Sequence, residues 1–280
     1  MSASEGVETI VPGLTIDRVG AHAAVVFPVP ASPRVRALPA NVDVFGELDA
    51  ATTQPVSTPG EGGGVGAEAP APPQVVSARL IGGYEVTVLR GGSGQTLSAW
   101  LRSHKYGLPA AANPILSAYI AQSWYFVAIR LAKRETGEIR PLAIAFRSPR
   151  IVYPMRLSRA ASDPVSLELF VDADGPVQGS GIDGLRTTFS RAVSSLAPEL
   201  SAAVRSLLPA PYLTRIDAYS VAPASISSDI VVRIVHHVAA AQPPSASTSD
   251  PWRYVAIALI AAAVCLCGAY LMLRRRRAPL

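Results

Sequence analysis

The sequence predicts an α+β body with a mixed or antiparallel sheet and packed helices, plus one C-terminal transmembrane helix. Three observations lead there. Strand-like and helix-like segments follow one another between Tyr84 and Val238 without regular βαβ alternation. About 240 residues precede the last apolar run, enough for one large or two small domains. Tyr254 to Leu273 are twenty residues without a charge, followed at once by Arg274, Arg275, Arg276 and Arg277.

Composition divides the chain into an α+β body over 1–241, a Pro/Ser-rich stalk over 242–253, the apolar run over 254–273 and a basic tail over 274–280. Within the body, residues 55–74 hold Pro55, Pro59, Pro70, Pro72, Pro73 and the run Gly60 to Gly64, too little apolar surface to fold and hence a flexible loop. A first strand is expected near Leu14 to Val29, ended by Pro28 and Pro30, which remove ladder donors and mark an edge or exit.

Tyr84, Val86 and Val88 alternate with Glu85 and Thr87, a half-buried strand, and Gly91 to Gly94 reads as a turn. A helix is expected over Gln95 to Lys105, with Leu97, Trp100 and Leu101 on one face. Asn113-Pro114 predicts a helix start, the asparagine as cap and the proline at the first helical position, with Ile115, Leu116, Tyr119 and Ile120 as its apolar stripe. Trp124 to Leu131 is a central strand by its β-branched and aromatic content. Leu142–Phe146, Ile151–Leu157 and Leu167–Val171 read as strands, Gly184–Leu208 as mostly helical with a break at Pro198, and Tyr212–Val221 and Ile230–Val238 as closing strands.

The twenty-residue run, helical at about 1.5 Å per residue, matches the roughly 30 Å hydrocarbon core of a bilayer. Its eight Val, Ile and Leu residues contribute together about −2 to −5 kcal/mol to insertion, with no charge to offset them. Trp252, Tyr254 and Tyr270 suit the two interfaces, and the four arginines hold the C-terminus at the cytoplasmic face against anionic head groups. The lipid bilayer is therefore the expected partner, and the body is expected outside the cytoplasm. Nothing before Arg18 resembles a signal peptide, so the expectation carries a second one, that the true start lies upstream. The competing topology is insertion by the tail with the body cytoplasmic.

Five of the 25 Lys+Arg are Arg253 and Arg274 to Arg277, and no acid follows Asp250, so residues 1–252 hold 20 bases and 20 acids. The basic pI belongs to the tail, which removes the argument for nucleic-acid binding by the body. Both cysteines, Cys265 and Cys267, lie in the apolar run, so the body has neither thiol nor disulfide.

An ordered set of segments carries a family resemblance. It runs from Val26-Phe27-Pro28-Val29-Pro30 through Val44-Phe45-Gly46-Glu47-Leu48, Gly83 to Leu89 and Leu97-Ser98-Ala99-Trp100-Leu101. It continues with Tyr106-Gly107, Tyr119, Phe126-Val127-Ala128, Pro141-Leu142, Phe146 and Tyr153-Pro154-Met155-Arg156-Leu157, and ends with Leu213-Thr214-Arg215 before Asp229. Over about residues 20–238 this resembles the DUF2330 family, bacterial proteins of unknown function. The family's usual glycine-before-tyrosine order is replaced here by Lys105-Tyr106-Gly107. The resemblance implies an exported, membrane-associated protein. Family members typically have a signal peptide, a cysteine-containing N-terminal stretch and often a C-terminal anchor; the anchor is expected here, and the first two are expected to belong to a start upstream of Met1. It implies no activity, so no catalytic residue is carried over.

The residues themselves assign no catalytic, cofactor-binding or metal site and no cofactor. His236 and His237 are adjacent on an expected strand and point to opposite faces, and His22 and His104 have no ligand partners at metal spacing. Ser93 and Ser180 lie in Gly-Ser-Gly turns that lack the last glycine of a nucleophile elbow. Gly60 to Gly66 has no Lys-Ser/Thr at phosphate-loop spacing. Asp172 and Asp174, two apart at a strand end, can bind calcium weakly or cap the turn before Gly175-Pro176. Trp100 with Tyr106, and Trp124 with Tyr125 and Phe126, read as packing. The functional reading is a binding or structural module outside the cytoplasm; the alternative is a membrane-anchored hydrolase whose site is assembled from scattered polar residues.

Overall fold

A computed structural model describes residues 2–4, 6–13, 24–39, 42–52, 73–132 and 140–235. All belong to one compact unit, Met1–Ala241. The stalk, the apolar run and the basic tail lie outside the described residues. Among those described, no helix is long and apolar enough to cross a membrane.

The strands are β1 (Ser2–Ser4), β2 (Val7–Ile10), β3 (Ala24–Val29), β4 (Arg34–Ala37), β5 (Gln74–Ile81), β6 (Tyr84–Arg90) and β7 (Tyr125–Leu131). They continue as β8 (Leu142–Arg147), β9 (Ile151–Tyr153), β10 (Val165–Ala173), β11 (Val177–Ser180), β12 (Arg186–Ala192), β13 (Tyr212–Val221) and β14 (Ile230–Ile234). The helices are α1 (Val44–Thr52), α2 (Gly94–Ser103), α3 (Asn113–Ala121) and the single turn α4 (Ala202–Arg205). They build a seven-stranded sheet in the order β12-β13-β10-β1-β2-β8-β4, a three-stranded sheet β11-β14-β9 and a four-stranded sheet β3-β7-β6-β5. Every pairing is antiparallel except β1 with β10, so the α+β expectation with a mixed, largely antiparallel sheet holds for the body.

Strand alternation sorts the side chains into layers. On β8, Leu142, Ile144 and Phe146 join Tyr84, Val86, Val127 and Ile129 of the four-stranded sheet, while Ala143 faces α1. On β10, Leu169, Val171 and Ala173 pack on Val177, Ile230 and Val232 of the three-stranded sheet. Leu213 of the neighbouring strand faces the other way, with Val44 and Leu48 of α1 and with Leu196, Leu200 and Val204. The far side of the four-stranded sheet, Phe126 and Ala128, is covered by Leu97 and Leu101 of α2 and Leu116 and Tyr119 of α3. Each fully buried Leu or Phe in these layers contributes about 1.5–3 kcal/mol.

Local signals fix several boundaries. Ser93, expected in a turn, is the N-cap of α2: its Oγ accepts from Thr96 N while Thr96 Oγ1 accepts from Ser93 N, a capping box. Asn113 does not cap α3. It is the first helical residue, preceded by Ala112 as cap, and its Oδ1 is buried without a partner among the described residues. Gly94 opens α2 where that helix meets α3, and a Cβ there would collide with Asn113 O and Ser117 Oγ. Gly94→Ala should therefore overpack this contact and destabilise by about 1–3 kcal/mol. Thermal unfolding checks it: an unchanged Tm would mean that the two helices do not approach so closely.

Other expectations are corrected. Gly184–Leu208 is not mostly helical: Arg186–Ala192 is a strand paired with β13, followed by a 3-10 turn at Val193–Leu196 and the one-turn α4. Thr187, Thr188 and Phe189 favour a pleated surface, and pairing with β13 decides the matter. The strand expected over Ile151–Leu157 stops at Tyr153, because Pro154 has no N–H to donate, and a 3-10 turn covers Arg156–Ala160. Gln74, placed in the flexible loop, begins β5; residues 53–72 lie outside the described residues. Pro28 sits within β3, opposite Phe126, rather than ending it; β3 is the edge of its sheet, where a missing N–H costs no ladder bond. Two short strands, β1 and β2, precede it and were not expected.

Candidate functional site

The loop and turn after β9 bring three distant residues together. Pro154 ends β9, and the following turn presents both the backbone N–H and the side chain of Arg156. Asp229 stands just before β14, and Tyr119 sits on the buried face of α3. Asp229 Oδ1 accepts from Arg156 N at 3.1 Å and from the Tyr119 hydroxyl; Oδ2 accepts from Arg156 Nε at 2.9 Å. The Arg156 guanidinium lies 4.1 Å from the Tyr119 ring centroid, a partly desolvated cation–π contact. Trp124 and Phe126 close the ring in, at centroid distances of 4.8 and 6.4 Å.

The loop carrying Asp229 is pinned from two further directions. Arg159 donates to Ala224 O and Ile226 O, at 3.0 and 3.2 Å. Ser228 Oγ donates to Gly181 O, and Gly181, at φ +122°, lies where any Cβ would strike Asp229 O. The Gly179-Ser180-Gly181 segment thus has a structural reason: close backbone approach beside Asp229.

Chemically the constellation is closed. Burial, and then the Asp229 charge, push the Tyr119 hydroxyl well above the ordinary tyrosine range, so it remains a donor at any physiological pH. The Asp229 carboxylate is committed to three donors. The arrangement ties α3, the turn after β9 and the start of β14 into one unit.

A second constellation lies on the opposite face of the seven-stranded sheet. Arg215 of β13, with 6% of its side chain exposed, pairs with Asp217 at 2.9 Å, Asp49 of α1 at 2.7 Å and Glu168 of β10 at 3.1 Å. Asp217 also accepts from Thr188 Oγ1 at 2.6 Å. This joins α1 to three neighbouring strands.

Two buried carboxyls complete the polar interior. Glu8 of β2, 1% exposed, reaches between sheets to accept from Val152 N of β9 at 3.1 Å. Burial, opposed by that hydrogen bond, pushes its pKa from 4.5 up to about 8. Asp172 of β10 accepts from Ala210 N at 3.1 Å while its Oδ1 has no partner among the described residues, and burial raises its pKa to about 7. Both folded pKa values lie above their unfolded ones. The folded state therefore holds the extra protons, and stability falls as pH rises from about 4 through about 8. The expected result is a Tm that decreases over that window, and a shallower decrease in Glu8→Gln and Asp172→Asn. An identical pH profile in both variants would contradict it.

The residues singled out from sequence fare differently. Asp172 is buried and Asp174, just beyond the strand end, is exposed, its charge adding a smaller part to what raises the Asp172 pKa. His104 is exposed at the end of α2, stacked on Trp100 at 3.8 Å, with Nδ1 at 2.8 Å from Trp100 O and 3.0 Å from Ser103 Oγ. That is a helix-end arrangement. His22, His236, His237 and Gly60 to Gly66 lie outside the described residues. Among the described residues no group of three His, Cys, Asp or Glu could hold a metal ion. Tyr119, Arg156 and Asp229, which are among the residues quoted for the resemblance, are brought together in one constellation and Arg215 centres the other; Glu8 was missed, having no local pattern to announce it.

The sequence model of the family described as "Uncharacterized protein conserved in bacteria (DUF2330)" matches residues 1–233. No curated protein and no solved structure matches the chain.

Proposed function

Because the chain belongs to the DUF2330 family, bacterial proteins of uncharacterised function, we propose that it is a single-pass membrane protein whose α+β body is a binding or structural module outside the cytoplasm. One observation carries the module reading. Tyr119, Arg156 and Asp229 are turned onto one another, and Arg215 onto Asp217, Asp49 and Glu168, so that the strongest polar interactions join layers of the body. The uncharged run Tyr254–Leu273 with Arg274–Arg277 behind it supports the membrane part of the reading.

The test is accessibility labelling of single cysteines on either side of the apolar run. Ser245→Cys should react with an impermeant reagent in intact cells, and Ala278→Cys only after lysis. The reverse pattern, or labelling of both only after lysis, would show that the body faces the cytoplasm.

A further inference from the structure

We propose that the face of the seven-stranded sheet at β8 and β4 is a docking surface for a bilayer rich in anionic phospholipid. The inference deepens the membrane reading above and rests on it.

Arg34 lies across from Ala145 and Arg36 across from Ala143, with Arg147 two residues further along β8. Alternation puts all three arginines on one face, and diagonal neighbours on adjacent strands stand about 7–8 Å apart. All three are exposed; Ala145 between them is half-buried, while Ala143 is buried under α1, so the open patch is the part of this face beside that helix. Val7, opposite Arg147, adds an apolar side chain 40% exposed.

No carboxylate among the described residues pairs with any of the three. The acids of the neighbouring helix are committed elsewhere: Asp43 to Gly46 N, Glu47 to Ser201 N and Asp49 to Arg215. Protection of an exposed edge would explain Arg34 and Arg36, since β4 is the last strand of its sheet. Arg147 is not on that edge strand: it pairs with Val7 of β2, two residues past the β4-paired stretch of β8. Nor is the cluster a consequence of overall charge, since residues 1–252 are balanced at 20 bases and 20 acids.

The occupant follows from charge and from where the chain goes next. β14 ends at Ile234, and residues 235–253 separate it from the apolar run. Nineteen residues reach at most about 65 Å, so a body tethered this way stays within reach of the bilayer surface. Anionic head groups there supply counter-charges to the three guanidiniums, with which no carboxylate among the described residues pairs.

The test uses the full chain with Cys265 and Cys267 replaced by alanine and a donor dye on Ser32→Cys. The chain is reconstituted in vesicles carrying a head-group acceptor dye, made of phosphatidylcholine alone or mixed with phosphatidylglycerol. Energy transfer should rise with phosphatidylglycerol, fall when salt is raised, drop to the phosphatidylcholine level in R34Q/R36Q/R147Q and persist in R34K/R36K/R147K. Equal transfer in the two lipid mixtures, or an unchanged signal in the glutamine variant, would overturn the proposal. A face that takes an acidic protein instead would show no dependence on lipid, and that result overturns the assignment as well. Anchoring is read separately, as flotation that resists alkaline carbonate. Should the chain not be anchored, docking is read from flotation that requires phosphatidylglycerol and is reversed by salt; its loss in the glutamine variant upholds the proposal and its absence in the unmodified chain overturns it.

Discussion

Asp229→Ala should destabilise the body by about 3–5 kcal/mol, the range for breaking a buried charged pair by removing one partner. The change strands the Arg156 guanidinium and the Tyr119 hydroxyl, both oriented toward a carboxylate that is no longer there. The side chains of Arg156 and Asp229 are 19% and 10% exposed, so water repairs little of the loss. Asp229→Asn keeps acceptor and donor capacity in place and should cost less. Denaturant unfolding followed by tryptophan fluorescence measures both, with Trp124 packed directly on the Tyr119 ring. Equal and small losses in the two variants would mean that the carboxylate charge is not what holds the three segments together.

Arg215→Ala is expected to have a similar effect, about 3–5 kcal/mol, for a related reason. Asp49 and Glu168 are 52% and 41% exposed and can return to water when the arginine is lost. Asp217 cannot: its side chain is 5% exposed and, among the described residues, keeps only the Thr188 hydroxyl. The penalty should therefore sit on Asp217. The double variant R215M/D217N, which removes the charge that would be stranded, should recover a substantial part of the stability lost in Arg215→Met. Additive losses would contradict this.

The parts of the fold that could be read from sequence are those with a local cause. Tyr84, Val86 and Val88 alternate as buried positions of β6, the first two packing on the seven-stranded sheet, and Tyr212–Val221 ends where it was expected to. The segment after Gly184 misled because Leu196, Leu200 and Val204 recur at helical spacing and are buried in one cluster. They do so from a 3-10 turn, a bend and a single helical turn. β12, just ahead of them, is specified by its pairing with β13, a long-range fact that no window of sequence contains.

The polar interior was legible only as a resemblance. Tyr119 and Asp229 are 110 residues apart and Arg156 and Asp229 are 73 apart, so spacing gives no hint that they meet. Glu8 belongs to a strand with only four residues, and its burial depends on β9 crossing above it. Charged residues of this kind look like solvated surface until the sheets that enclose them are known.

Tyr119, Arg156, Arg215 and Asp229, all quoted for the family resemblance, join the layers of the body. Tyr119→Phe tests this most directly, because it removes one hydroxyl from the constellation and leaves the aromatic packing in place. The hydroxyl donates to a charged acceptor, a bond worth about 1.5–3 kcal/mol. Denaturant unfolding of the full chain should show that loss with an unchanged folded-state circular dichroism spectrum. A Tyr119→Phe protein as stable as the parent would contradict the claim.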